Sequence, residues 1–127
     1  MGTLLVALVL IPVLVRFWSK THLPSHTWTV TAASFGLVAA PVGIGLYGTC
    51  FVGPFGIVTG MLGLLLSMFH GAPGYYIATY LGWVPSFTVV ESGGQLIVDA
   101  VSGLFWAAVY GTLGLVVDLG RRSRVAL

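Results

Sequence analysis

Residues His70 to Gly94, HGAPGYYIATYLGWVPSFTVVESGG, stand between a long apolar block and the last apolar run, and their depth in a membrane decides the topology of the chain. Within them, the 19 residues from Ala72 to Val90 carry no charge, which as a helix just reaches across a hydrocarbon core of ~30 Å. Gly82 and Pro85 interrupt that run, and its rings, Tyr75, Tyr76, Tyr80, Trp83 and Phe87, are spread along it rather than gathered at two ends. Tyr76, Tyr80, Trp83 and Phe87 recur at helical spacing, as suits a helix lying among lipid headgroups, although Pro85 ends that helix before Phe87. The segment 72–90 is therefore expected to be interfacial or re-entrant, with a full crossing as the alternative.

The rest of the chain leaves no doubt about the solvent. It has 127 residues, 57% hydrophobic and only 6% charged, with a mean hydropathy of +1.04. A soluble domain carries about 25% charged residues. Eight formal charges cannot coat a water-facing surface, so the apolar runs face lipid or other helices, and the chain reads as a single polytopic all-α membrane domain, 1–127.

Outward from the deciding stretch, Trp28 to Phe69 is 42 residues without Asp, Glu, Lys or Arg, enough for two spans of ~20 residues joined by a turn. Glycine and proline put that turn at Gly48 to Pro54. The expected spans are 2–18, 28–48, 54–69 and 95–119, with Pro12 and Pro41 bending the first two. The N-terminal run lacks the basic region and cleavage site of a signal peptide and is expected to stay attached as a span.

The basic residues form two clusters, Arg16 with Lys20, and Arg121 and Arg122 with Arg124. Such clusters beside apolar runs are topogenic signals and lipid phosphate contacts, and they are too small for a nucleic-acid surface. Both would be cytoplasmic if an even number of crossings separated them. Three spans after Lys20 give an odd number. Either the rule is only partly obeyed, with four spans and a cytoplasmic C-terminus, or segment 72–90 supplies a fifth crossing.

Small residues recur at one-turn spacing: Ala32, Gly36 and Ala40 on the second span, Gly56 and Gly60 on the third, and Gly103, Ala107 and Gly111 on the last. Without side-chain bulk, helix backbones approach closely and are held by dispersion and Cα–H contacts. Asp99 shares the stripe of Gly103, Ala107 and Gly111, which makes it a candidate intramembrane acid, while Asp118 is expected to pair with the arginines that follow it.

If Trp28 to Phe69 is a two-span hairpin, His22, His26 and His70 lie at one membrane face, where three imidazoles are candidate ligands for copper or zinc. Pro24 breaks any HxxxH helix face, and headgroup or partner contacts are the simpler role. No cofactor is specified. No nucleophile with a nearby base, P-loop, dinucleotide fingerprint or HExxH pattern is present, so a catalyst acting alone is not expected. The expected role is a small non-catalytic integral membrane subunit of a larger respiratory, photosynthetic or transport complex. It would contact other membrane subunits and lipids in a bacterial cytoplasmic membrane. The alternative is a homo-oligomeric channel or transporter, for which Thr49, Thr59, Ser67, Ser102 and Thr112 are the polar residues inside spans.

Overall fold

The computed structural model describes residues 2–49, 53, 55–85 and 92–125. Among them the chain is all-helical: α1 is Gly2–His22, a 3-10 turn occupies Pro24–His26, α2 is Thr27–Tyr47, α3 is Gly56–Tyr80 and α4 is Ser92–Val125. Three of these stretches are long and apolar enough to cross a membrane: Pro24–Tyr47, Gly56–Tyr80 and Gly94–Ser123. α1 is 21 residues long.

Proline punctuates the first junction. Leu23 precedes Pro24 and sits outside the helical region at φ −135°, ψ 59°, as the proline ring demands, so α1 stops at His22. The junction is short, and α1 folds back on α2, burying Pro12 and Ser19; among the described residues, α2 is the only α-helix it packs on, beside the 3-10 turn. Inside α2, Pro41 is exposed while Ala39, Ala40, Val42, Gly43 and Leu46 are buried. α2 is the central helix, in contact with each of the other three.

Helices α2 and α4 are antiparallel and nearly backbone to backbone. A Cβ built on Gly36 would stand 2.6 Å from the Ala107 nitrogen, one on Gly103 would stand 3.1 Å from the Leu37 carbonyl oxygen, and one on Gly111 would meet the Ala33 Cβ at 3.4 Å. Gly114 backs directly on the Trp28 carbonyl. The expected small-residue faces are thus largely consumed inside the chain. Ala40, Gly56 and Gly60 are buried too, and Ala32 is half-buried.

The main departure from expectation is α3. It does not end at Phe69 but continues through His70, Gly71, Ala72 and Pro73 to Tyr80, so 72–80 is the second half of this helix and not a separate interfacial element. Its first half lies on the C-terminal end of α2: Gly63 backs on Tyr47, and a Cβ on Gly43 would stand 2.8 Å from the Ser67 nitrogen. Its second half lies on the N-terminal half of α4, with Gly74 against Val98 and Ser102, and with Ala78, Val84 and Val98 forming a buried cluster. In an antiparallel pair, the C-terminal end of α2 and the N-terminal end of α4 are the same end. Both ends of α3 therefore sit there, and its innermost point, at His70 and Gly71, is level with Phe35 and Trp106 near the middle of the pair.

A glycine stop closes α3. Gly82 has φ +71°, the Gly82 amide donates to the Thr79 carbonyl at 3.0 Å, and the Trp83 amide donates to the Ala78 carbonyl at 2.8 Å. This is the Schellman arrangement, which needs a residue tolerant of left-handed backbone at that position. Gly82 thus ends a helix rather than interrupting a span. Tyr76, Tyr80 and Trp83 point outward, Tyr80 being 90% exposed, while Phe87 lies outside the described residues.

Candidate functional site

At the middle of the bundle, α3 carries its proline. Pro73 has no N–H for the Phe69 carbonyl, and its ring crowds that turn, although the helix runs on to Tyr80. α4 bonds to the backbone groups next to the proline. Ser102 Oγ donates to the Gly71 carbonyl at 2.9 Å and accepts from the Gly74 amide at 3.0 Å, and Trp106 Nε1 donates to the His70 carbonyl at 3.1 Å. Ser102 is fully buried, where an unpartnered backbone group is costly.

His70 is buried beside this proline turn. Its Nδ1 is 3.2 Å from the Leu66 carbonyl and its Nε2 is 3.0 Å from the Tyr110 hydroxyl. A carbonyl only accepts, so these partners assign the proton to Nδ1 in the neutral ring, and Nε2 accepts from Tyr110. The rings of Phe35, Phe69 and Trp106 pack around the imidazole, with Trp106 at 5.0 Å between centroids.

That position separates the three histidines. His26 lies at the start of α2, and Phe35, which packs on His70, is nine residues further along, or ~13 Å at the helical rise. The expected metal triad of His22, His26 and His70 is therefore not assembled, because the hairpin places His70 at mid-bundle rather than at its mouth. No group of three His, Cys, Asp or Glu side chains suited to a metal is found among the described residues. Instead, His22 stacks on Trp18, with centroids 4.9 Å apart. Asp99 is half-buried one turn before Gly103, and its Oδ1 accepts from Gln95 Nε2 at 2.9 Å.

The second polar site is at the other end of the bundle. Asp118 is 5% exposed, and among the described residues its hydrogen bonds go to α2 rather than to Arg121 or Arg122. Its Oδ1 accepts from the Trp28 amide at 3.2 Å, while its Oδ2 accepts from both the Thr29 amide and the Thr29 hydroxyl at 2.9 Å. The free N–H groups and positive end of α2 hold this carboxylate across 90 residues of sequence. Arg122 Nη2 instead donates to the Ser25 carbonyl at 2.6 Å. The Arg16 and Arg121 guanidinium groups stand 4.0 and 5.4 Å from the centroid of the Trp28 ring. The two basic clusters therefore meet at one end of the bundle, around a pocket of about 680 Å³. The four-span expectation put Lys20 and Arg121 on opposite sides; the hydrogen bonds of Asp118 and Arg122 bring them together.

Sequence reasoning missed Gly43, Gly63, Gly74 and Gly114, which allow some of the closest backbone approaches. Gly111 and Gly114 fall three apart, and Gly36 and Gly43 seven apart, so a search for spacing four passes over two of them. The hydroxyls of Thr59, Ser67 and Thr112, considered as pore lining, bond to carbonyls of their own helix.

By length and composition the chain falls among helical membrane proteins. No protein-family model, curated protein or solved structure matches it.

Proposed function

We propose that the chain is a small non-catalytic integral membrane subunit that packs against and stabilises a larger membrane complex, respiratory, photosynthetic or transport, in a bacterial cytoplasmic membrane. The observation that carries this reading is that most described interior polar groups bond within the chain, Trp28 Nε1 and Thr79 Oγ1 being exceptions. Ser102, Trp106 and Asp118 bond to the chain's own backbone, and His70 bonds to Tyr110 and Leu66. These side chains brace helices against one another.

In this reading α1, α2 and α4 cross the bilayer and α3 is re-entrant, entering and leaving at the end away from the basic residues. Two crossings then separate Lys20 from Arg121, the even number that the positive-inside rule asks for, and the basic end with the C-terminus of α4 is cytoplasmic. A proline bend at membrane depth is tolerated where protein covers it, as Ser102 and Trp106 do beside Pro73. Because the glycine faces of α2 and α4 are taken up internally, the surface left for partner helices and lipid includes apolar α1, the outer face of α3, where Ile57, Met61, Leu65 and Met68 are exposed, and the outer face of α4, where Leu96, Leu104, Leu113 and Val116 are exposed.

Pro73 beside the buried His70 at mid-bundle favours a second reading, a homo-oligomeric channel or transporter, since ionisable side chains inside a membrane bundle mark ion and substrate paths in such proteins. Native mass spectrometry after gentle extraction separates the two. Stoichiometric unrelated chains support the subunit; a homo-oligomer free of other polypeptides contradicts it.

A further inference from the structure

Four cations, Arg16 and Lys20 from α1 and Arg121 and Arg122 from α4, line the pocket at the basic end, together with Pro24, Ser25, Thr27 and Trp28. Asp118 is the one acid among the lining residues, and both its oxygens are engaged by α2. The positive charge of the pocket is thus left largely uncompensated. Its volume of about 680 Å³ is that of a small-ligand site. Arg16 and Arg121 over the Trp28 ring keep their edge N–H groups for an anion, because a stacked guanidinium bonds through its rim.

A second observation says what kind of anion. On α1 the residues Val6, Val9, Val13, Arg16 and Lys20 follow one another at spacings of three and four and so form one stripe along the helix. The lower part of that stripe, with Leu10, lines an apolar groove of about 390 Å³, and its upper part enters the basic pocket. From Val6 to Arg16 the helix rises ~15 Å, half of a ~30 Å hydrocarbon core. That is the depth of one leaflet.

We infer that the basic pocket and the α1 groove together hold one anionic phospholipid, its phosphate among Arg16, Lys20, Arg121 and Arg122 and one acyl chain along Val13, Val9 and Val6. The bound lipid ties α1, which rests on α2 alone among the helices, to the end of α4. A free phosphate shares the headgroup chemistry but has nothing to place in the groove.

The test uses the full chain purified in detergent, with binding of dioleoylphosphatidylglycerol, dioleoylphosphatidylcholine and inorganic phosphate measured by native mass spectrometry. One phosphatidylglycerol per chain is expected, preferred over phosphatidylcholine. Affinity should fall about fivefold in each of Lys20→Gln and Arg121→Gln, as for a surface cation acting on an anionic lipid. Arg16→Lys should retain most of the binding that Arg16→Gln loses. Widening the polar surface with Val9→Ser should weaken the lipid without changing any phosphate binding. Equal binding of the two lipids, or wild-type affinity in Lys20→Gln and Arg121→Gln, overturns the site. Inorganic phosphate that displaces the lipid at equal concentration, with Val9→Ser neutral, overturns the lipid assignment in favour of a soluble anion.

Discussion

Replacing Asp118 by alanine tests whether its carboxylate holds α2 or merely neutralises neighbouring arginines. In the structure it accepts three hydrogen bonds at 2.9 to 3.2 Å from Trp28 and Thr29 while almost fully buried. Losing a helix N-terminal cap costs ~0.5–2 kcal/mol, and a hydrogen bond to a charged group contributes ~1.5–3 kcal/mol net. The bonds share one carboxylate and do not add, so the expected loss is about 2–4 kcal/mol. A surface pair with arginine would contribute ~0–1 kcal/mol. Equilibrium unfolding in mixed micelles with increasing dodecyl sulfate, followed by circular dichroism, resolves that difference. A double-mutant cycle adds the partner: Asp118→Ala should couple to Thr29→Val and not to Arg121→Gln. A loss below ~0.5 kcal/mol, or coupling to Arg121 alone, would refute the assignment.

Three further outcomes follow from the packing. Gly36→Ala puts a methyl 2.6 Å from the Ala107 nitrogen, so α2 and α4 must part, costing ~1–3 kcal/mol. By contrast Gly120→Ala, with nothing within 4 Å of its Cβ, should be neutral or stabilising by up to ~1 kcal/mol in the same unfolding assay. Ser102→Ala removes the α4 partner of the Gly71 carbonyl and the Gly74 amide; it should cost ~1–3 kcal/mol and speed hydrogen exchange at Gly74, and unchanged exchange there would contradict the bracing of the proline turn.

What the sequence makes legible is composition and local stops. The absence of charge declares the membrane, Pro24 ends α1, and the glycines Gly36, Gly103 and Gly111 mark a close approach. What it hides is anything set by a distant partner. Pro73 looks like the end of a helix, and nothing local reveals that Ser102 and Trp106 will carry the backbone past it. Asp118 has Arg121 and Arg122 as sequence neighbours, yet the N–H groups of α2 compete better because they are fixed, buried and aligned with a helix dipole. His70, placed at a membrane face by counting spans, lies at mid-bundle because α3 continues beyond it. The charge arithmetic that fails with three spans after Lys20 would be resolved by the re-entrant α3 proposed above, with its two ends on one side of the membrane.

That geometry is open to direct measurement. With Cys50, the only cysteine, replaced by Cys50→Ala, single cysteines introduced by Thr21→Cys, Phe55→Cys, Leu81→Cys and Ser123→Cys can be labelled in sealed vesicles with a membrane-impermeant maleimide. Positions 21 and 123 should label from one side, and positions 55 and 81 both from the other. Labelling of 55 and 81 from opposite sides would mean that α3 crosses the membrane, and would contradict the account.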